Sequence, residues 1–149
     1  MEINKIDNLL KLFDWQYQKQ NKESIFLQSL KEPKKKYSWE DVYRNINKLA
    51  DEISKYIKKG DRCLLVSENR PEWMIADLAI MLSGGITVPA YTTYTERDYE
   101  YIINDCTPTV LIVSDKNSEK NIFKSAAGNT TVPMSLPSAI SPGKTAKFR

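Results

Sequence analysis

The spacing of apolar residues predicts an amphipathic helix near the start of the chain. Its apolar positions recur three and four residues apart over residues 5–19: Ile6, Leu9, Leu10, Phe13 and Tyr17. A short apolar run, residues 24–28, then predicts a strand. Residues 31–36 (KEPKKK) predict a solvated turn, because Pro33 interrupts regular structure and acidic residues flank the lysines. A phosphate-binding patch is the functional alternative for this lysine run.

A second, longer helix is predicted to follow Ser38. Ser38 is an N-cap residue, and Asp41 three residues later completes a weak capping box. The apolar stripe behind it alternates spacings of four and three: Val42, Ile46, Leu49, Ile53 and then Tyr56 or Ile57. Gly60 is predicted to end this helix in the left-handed conformation.

From residue 61 onward, short apolar runs alternate with helical segments. Three runs predict strands, of which the first is continuous enough to be buried on both faces: residues 63–67, 86–89 and 109–113. Helices are predicted over residues 73–82, 96–105 and 116–126, the first of them opened by Pro71. Strands and helices alternating at this spacing predict an α/β fold with parallel strands and crossover helices.

The character of the chain changes at Gly128. Residues 128–149 contain three of the seven prolines, no acidic residue and no periodic apolar pattern, so they are predicted to be a disordered tail. Residues 138–145 (SAISPGKT) are similar to a phosphate-binding loop. A functional loop is not expected there, because Ser138 stands where the first glycine belongs and four residues follow Thr145.

Composition excludes several kinds of chemistry. The 149 residues contain no histidine, which rules out histidine-dependent nucleophiles, acid–base catalysis and metal sites. Cys63 and Cys106 lack a CxxC arrangement and are predicted to be reduced thiols of a cytoplasmic protein. All 19 acidic residues lie before Lys120, whereas five of the 22 basic residues lie at or after it. The basic excess therefore belongs to the end of the chain. Nucleic-acid binding is therefore not expected of the body of the chain.

Two short segments are candidates for function or for structure. The turn at residues 68–71 lacks the glycines of a dinucleotide-binding loop, and its interpretation is structural. Asn69 is predicted to cap the following helix, Pro71 to start it and Trp73 to anchor it in the core. The better site candidate is the hydroxyl-rich loop Tyr91, Thr92, Thr93 and Tyr94, because loops after strands carry function.

Residues 60–94 (GDRCLLVSENRPEWMIADLAIMLSGGITVPAYTTY) resemble a stretch of the adenylate-forming acyl-CoA synthetases, within them the long-chain fatty acid CoA ligases. The resemblance is carried by Gly60-Asp61, Ser67-Glu68-Asn69, Pro71-Glu72-Trp73, Val88-Pro89 and Tyr91. Tyr37-Ser38-Trp39 upstream and Asp105 downstream are similar as well. Residues 1–127 are accordingly identified as the N-terminal portion of an AMP-binding domain, and residues 128–149 as lying outside the family pattern.

This resemblance implies a partial Rossmann-like lobe, the N-terminal part of the acyl-CoA synthetase large domain. For the parent enzyme it implies ATP-dependent activation of a fatty acid to an acyl-adenylate and transfer to coenzyme A, with ATP and Mg²⁺ as cofactors. The family's phosphate loop, its adenine, magnesium and ribose motifs and its catalytic lysine are absent from these 149 residues. The chain is therefore expected to be a truncated or frame-shifted piece that is inactive and binds no cofactor alone.

The site expectations follow from the same resemblance. Tyr91, Thr92, Thr93 and Tyr94 would border an acyl or CoA site, and no catalytic residue or metal ligand is predicted. The alternative is a small non-catalytic module that binds a partner protein or a membrane surface through its N-terminal helix. Peripheral membrane association stays open beside a cytoplasmic location. Self-association is expected, because the buried helix and strands require sheet neighbours.

Overall fold

Four helices and six strands make up the described part of the computed structural model, which comprises residues 5–114, residue 122 and residues 131–136. The helices are α1 (Leu9–Lys19), α2 (Trp39–Ile53), α3 (Pro71–Leu82) and α4 (Glu96–Cys106). The strands are β1 (Ile25–Gln28), β2 (Lys36–Ser38), β3 (Arg62–Val66), β4 (Ile86–Ala90), β5 (Val110–Val113) and β6 (Val132–Ser135). No helix in this part of the chain is long and apolar enough to cross a membrane.

A parallel sheet of order β4-β3-β5-β6 forms the centre of the fold. Because successive strand residues face opposite sides, Cys63 and Leu65 of β3 join one core cluster, with α2 and α3. Leu64 joins the other cluster, which contains Tyr99 and Ile103 of α4. Helices thus cover both faces of the sheet, and the predicted α/β fold is confirmed.

The start of α2 confirms its predicted cap, but its end does not. The Ser38 hydroxyl accepts from the Asp41 amide at 3.1 Å, and the Asp41 carboxylate accepts from the Ser38 amide at 3.2 Å. The prediction that the helix runs to Gly60 is wrong, since α2 ends at Ile53 with Ser54 as its cap. Turns then bring Ile57 into the core, and Gly60, with φ +90°, donates to the Gly84 carbonyl at 2.8 Å.

An antiparallel hairpin of β1 and β2 precedes α2. The Ser29 amide donates to the Lys35 carbonyl at 3.0 Å and closes the turn between the two strands. The sequence predicts β1 and the turn but not β2, because three residues are too few to show a period. β2 nevertheless carries Tyr37, whose side chain is fully buried.

The described part of the C-terminal segment corrects the disorder prediction. Val132–Ser135 form β6, which pairs in parallel with β5, and Leu136 is fully buried. Pro133 is tolerated because β6 has one neighbour, β5, among the described strands. A short strand with a proline gives no periodic signal, which is why composition alone predicted disorder here. Residues 137–149, and residues 116–126 except the buried helical residue Ile122, lie outside the described part.

Candidate functional site

The order of the strands places a candidate site at the carboxyl edge of the sheet. The chain leaves β3 toward β4 on one side and then crosses to β5 on the other. In open parallel sheets, ligands bind beyond the carboxyl ends of the strands near such a reversal. Residues 67–70 follow β3, residues 91–95 follow β4 and Ser114 follows β5. Two clefts open at this edge.

The first, here called the β3–β4 cleft, has a volume of about 530 Å³ and is lined by residues 67–69, Trp73 and residues 89–93. Three of the four predicted loop residues, Tyr91, Thr92 and Thr93, lie in its wall. Tyr94 is not in the wall, and its ring packs edge-on against those of Tyr91 and Tyr99. The Tyr99 hydroxyl donates to the Tyr91 carbonyl at 2.7 Å, which fastens the loop to α4.

The second, here called the hairpin cleft, lies between the hairpin turn and the start of α3. It has a volume of about 490 Å³ and is lined by residues 27–32, Lys35 and residues 68–74. Trp73, Glu68 and Asn69 thus contribute to both clefts. The turn between β3 and α3 is therefore the wall that separates the two clefts.

A buried carboxylate holds this turn against the hairpin. Glu72 is 1% exposed and accepts from the Tyr37 hydroxyl at 2.7 Å, from Arg70 Nε at 2.8 Å and from the Lys35 ammonium. Burial raises the pKa of Glu72, but its three donors outweigh burial and lower the pKa to about 2. Burial and the adjacent carboxylate together raise the pKa of Tyr37 far above its ordinary value.

Sequence reasoning missed this cluster, because it gave Glu72 no role beyond its place in the family pattern. Its partners Lys35 and Tyr37 lie more than thirty residues away along the chain, so no local pattern links them to Glu72. The solvated-turn interpretation holds for the exposed Lys31, Lys34 and Lys36 but not for Lys35. The alternative of a phosphate-binding patch is weakened, since the Lys35 charge is already paired.

A side-chain hydrogen bond links Glu68, which follows β3, to Ser114, which follows β5. The Glu68 carboxylate accepts from the Ser114 hydroxyl, and Arg70 Nη1 lies 3.4 Å from its other oxygen. Burial raises the pKa of Glu68, but the Ser114 hydrogen bond, a backbone hydrogen bond and nearby cations outweigh it, so the pKa is lowered. Glu68 is therefore ionised at neutral pH, with its side chain 35% exposed.

The structure corrects part of the predicted Asn69, Pro71 and Trp73 motif. Pro71 is the first residue of α3 as predicted, but the cap is Arg70, without a side-chain hydrogen bond, and Asn69 is exposed. Proline restricts the residue before it to an extended conformation, so Arg70 is the cap and not the predicted Asn69. Trp73 is half-buried at the edge of the core rather than an interior anchor.

Comparison with known proteins gives the family. The model of the AMP-binding enzyme family matches residues 13–145 of the chain. This chain belongs to the AMP-binding enzymes. The match confirms the resemblance drawn from the sequence and extends past residue 127, where the sequence predicts that it ends. The matched range includes strand β6.

Two curated relatives of this chain have names that refer to fatty acids. Fatty acyl-CoA synthetase A of Dictyostelium discoideum is 39% identical over 64 residues, which are 43% of this chain and 10% of that protein. The long-chain-fatty-acid–CoA ligase of Bacillus subtilis is 32% identical over 82 residues, 54% of this chain and 15% of that protein. The matched stretch is thus a small share of each relative.

Solved structures share the fold. ATP-bound MatB from Rhodopseudomonas palustris matches with a TM-score of 0.74 at 21% identity, over 93% of this chain and 29% of the MatB chain. A structure from a study of fatty acyl-adenylate ligases from E. coli and L. pneumophila gives 0.74 at 15% identity, over 99% of this chain and 27% of that one. At these identities the likeness shows the fold alone, that of part of an adenylate-forming enzyme.

The β3–β4 cleft and the start of α3 do not fit a nucleotide phosphate, and the described residues hold no Mg²⁺ site. No lysine or arginine lines the β3–β4 cleft. The start of α3 has Pro71 in place of a free amide and the Glu72 carboxylate in its first turn, so it offers little to an anion. Within the described ranges, no three acidic or cysteine side chains cluster in a way that could hold a metal ion.

Stability measurements separate the three motif residues. Trp73→Ala is expected to lower the free energy of unfolding by about 2 kcal/mol, less than the ~3–5 kcal/mol of a fully buried aromatic residue. Asn69→Ala is expected to change it by less than about 0.5 kcal/mol, because Asn69 makes no cap. Urea unfolding measures both. An Asn69 effect as large as that of Trp73 would restore the capping interpretation.

Proposed function

We propose that this chain forms part of the substrate-binding wall of a long-chain fatty acid CoA ligase. The parent reaction is ATP-dependent activation of a fatty acid to an acyl-adenylate, followed by transfer to coenzyme A. The observation that carries the proposal is the β3–β4 cleft, whose walls include residues 67–69 and Trp73 of the family pattern and the loop at residues 91–93. The names of the relatives support the fatty acid as the substrate class.

The cofactors of the proposed parent enzyme are ATP, Mg²⁺ and coenzyme A. The β3–β4 cleft has no cation for a phosphate, and the described residues have no metal-binding cluster, so in this proposal the cleft contributes to the acyl or CoA border and not to ATP chemistry. Tyr91, Thr92 and Thr93 form that border directly, and Tyr94 supports it by packing on Tyr91. The two free thiols, Cys63 and Cys106, favour the reducing cytoplasm as the location.

A segment exchange tests the proposed function. Residues 60–94 of this chain replace the corresponding segment of the Bacillus subtilis ligase, and acyl-CoA formation from palmitate is measured. We expect the chimera to stay active, because the segment keeps every residue of the family pattern. A folded chimera without activity would contradict the proposal.

Tyrosine substitutions within the exchanged segment of the chimera add a matched comparison. Tyr91 and Tyr101 are 70% and 71% exposed, but only Tyr91 lines the cleft. With the exchanged segment extended through α4, Tyr91→Ala is expected to lower kcat/KM about tenfold, while Tyr101→Ala leaves it within about twofold. Equal effects of the two changes would remove the loop from the substrate border.

The purified chain is expected to show no carboxylate-dependent ATP–pyrophosphate exchange. Positioned cations and phosphate-binding loops supply most of the catalysis in such transfers. The sequence contains neither the phosphate loop nor the catalytic lysine motif of the family. Exchange with a fatty acid and Mg²⁺ measures this directly. Activity that is lost in Lys144→Ala would assign a function to the loop-like run at residues 138–145.

A further inference from the structure

Arg70 lies between two carboxylates in the turn that separates the two clefts. Its Nε donates to Glu72 at 2.8 Å, and its Nη1 lies 3.4 Å from Glu68. The Arg70 side chain is 19% exposed and Glu72 is buried, so water screens this pair poorly. One guanidinium group therefore pairs with an interior carboxylate and with a carboxylate in the wall of the β3–β4 cleft.

Each of these carboxylates is anchored to a different part of the fold. Glu72 accepts from the hydroxyl of Tyr37, a fully buried residue of β2, at 2.7 Å. Glu68 accepts from the hydroxyl of Ser114, which follows β5. Side-chain contacts thus form a continuous series, here called the contact chain, from the hairpin to the end of β5: Tyr37, Glu72, Arg70, Glu68 and Ser114.

Arg70 is next to the wall of the β3–β4 cleft but is not part of it. Residues 67–69 and Trp73 line that cleft, whereas Arg70 lines the hairpin cleft. Arg70 reaches the wall through two contacts. Its guanidinium group pairs with the Glu68 carboxylate, and its carbonyl accepts from the Trp73 amide at 3.0 Å. The influence of Arg70 on a ligand in the β3–β4 cleft is therefore indirect.

A guanidinium group suits this position better than an ammonium group. Its donors form a planar, rigid fork, so Nε and Nη1 can face two different carboxylates at the same time. Arg70→Lys would keep the charge but would offer a single donor group on a flexible stem. The link between the two anchored carboxylates thus depends on the shape of the side chain as well as on its charge.

We propose that Arg70 is a positioning residue of the β3–β4 cleft, which couples the buried Glu72 to the cleft wall at residues 67–69. This inference rests on the proposed ligase function, and it adds a residue that acts on the substrate border without contacting the substrate. The hairpin of β1 and β2 then contributes to the site as well, because Tyr37 of β2 anchors Glu72.

Tyr37→Phe tests the coupling on the 149-residue chain. It removes the hydroxyl that donates to Glu72, at the end of the contact chain that lies in the hairpin. We expect the amide proton–nitrogen signals of Glu68 and Asn69 to shift, because the loss of this anchor reaches them through Arg70. Nuclear magnetic resonance spectra of the wild-type chain and the variant measure the shifts.

Tyr17→Phe is the matched control. The Tyr17 hydroxyl also donates to a glutamate, Glu40 at 2.6 Å, and Glu40 is not part of the contact chain. The amide signals of Glu68 and Asn69 are expected to stay in place in this variant. Equal shifts in the two tyrosine variants, or no shift in Tyr37→Phe, would overturn the coupling.

Arg70→Lys assigns the coupling to one side chain. In this background Tyr37→Phe is expected to leave the amide signals of Glu68 and Asn69 in place, because the fork that joins the two carboxylates is gone. A Tyr37→Phe shift that persists in this background would overturn the assignment to Arg70. The comparison of the two tyrosine variants needs no Arg70 variant, so it tests the inference even if Arg70→Lys does not fold.

The chimera tests the effect of Arg70 on the substrate border, because residues 60–94 include Arg70 and both of its carboxylate partners. We expect Arg70→Lys to raise the KM for palmitate or for coenzyme A about tenfold, since a displacement of about 1 Å is already costly. The KM for ATP is expected to change by less than about twofold, because the lining of the β3–β4 cleft has no cation for a phosphate. A loss of kcat with all three KM values unchanged would mean a purely structural role and would overturn the proposal.

Arg97→Lys is the control in the chimera, with the exchanged segment extended through α4. Arg97 is an exposed residue of α4 and does not line the β3–β4 cleft. All three KM values are therefore expected to stay within about twofold of those of the chimera. A rise in KM as large as that of Arg70→Lys would overturn the assignment to Arg70.

The outcome is separable from that of the proposed function. The amide signals need no ligase activity, so an inactive, folded chimera combined with coupled signals overturns the ligase and keeps Arg70 as the support of the cleft wall. An active chimera in which Arg70→Lys changes no KM value overturns the positioning role and keeps the ligase.

Discussion

Glu72→Gln is expected to lower the free energy of unfolding by about 3 kcal/mol at neutral pH, the cost of removing one partner from a buried ion pair. The substitution keeps the size of the side chain but removes the charge that faces Arg70 and Lys35. Those two side chains are 19% and 22% exposed, so water compensates their charges poorly. Urea unfolding followed by circular dichroism measures the loss.

The matched control is Glu32→Gln. Glu32 lies in the same hairpin turn but is exposed, so the change is expected to stay within about 0.5 kcal/mol. Tyr37→Phe removes one neutral donor to Glu72 and is expected to cost about 1 kcal/mol. A Glu72→Gln effect no larger than that of Glu32→Gln would show that the buried charges are solvated in solution.

The parts of the fold that sequence predicts well are those specified by neighbouring residues. The capping box of α2 depends on Ser38 and Asp41, three positions apart, and both hydrogen bonds form. Pro71 starts α3 because its fixed φ suits the first helical position. Residues 63–66 of β3 and all of β5 are continuous apolar runs, as is typical of strands covered on both faces.

The parts that sequence misses depend on residues far apart in the chain. β6 has no periodic pattern of its own and is formed by pairing with β5, while Val132 and Met134 pack against the core. The cap of α3 is Arg70 and not the predicted Asn69, because the backbone restriction by Pro71 outweighs the capping preference of the asparagine side chain. Local preference is a weak guide wherever tertiary contacts compete with it.

Part of the candidate site could likewise be predicted from sequence, and part could not. The loop at residues 91–93 follows a strand, so its place at the sheet edge could be expected, and it does line a cleft. The charge pattern of that cleft could not be expected, because the Glu68 carboxylate is held by Ser114 from another strand. Nor does sequence show that Trp73 faces both clefts, since an aromatic residue in an apolar helix is typical of a core position.

Acid is expected to destabilise the chain through Glu72. Its pKa lies at about 2 in the folded protein against an ordinary value of 4.5. A carboxyl group with a lowered pKa stabilises the folded state fully above its unfolded value, and this contribution is lost as the pH falls through the folded value. The loss therefore begins near pH 4.5, is complete near pH 2 and amounts to about 3 kcal/mol, given 1.36 kcal/mol for each pH unit.

The Glu72→Gln variant isolates this contribution from those of other acids. Glu68 also has a lowered pKa, so the wild-type chain loses some additional stability over the same pH range. Urea unfolding of both proteins between pH 7 and pH 2 should show a wild-type advantage of about 3 kcal/mol that shrinks below pH 4.5 and vanishes near pH 2. Parallel curves would mean that Glu72 does not titrate on unfolding. The hydrogen bonds from Tyr37, Arg70 and Lys35 would then contribute through geometry and packing, and not through the charge of the carboxylate.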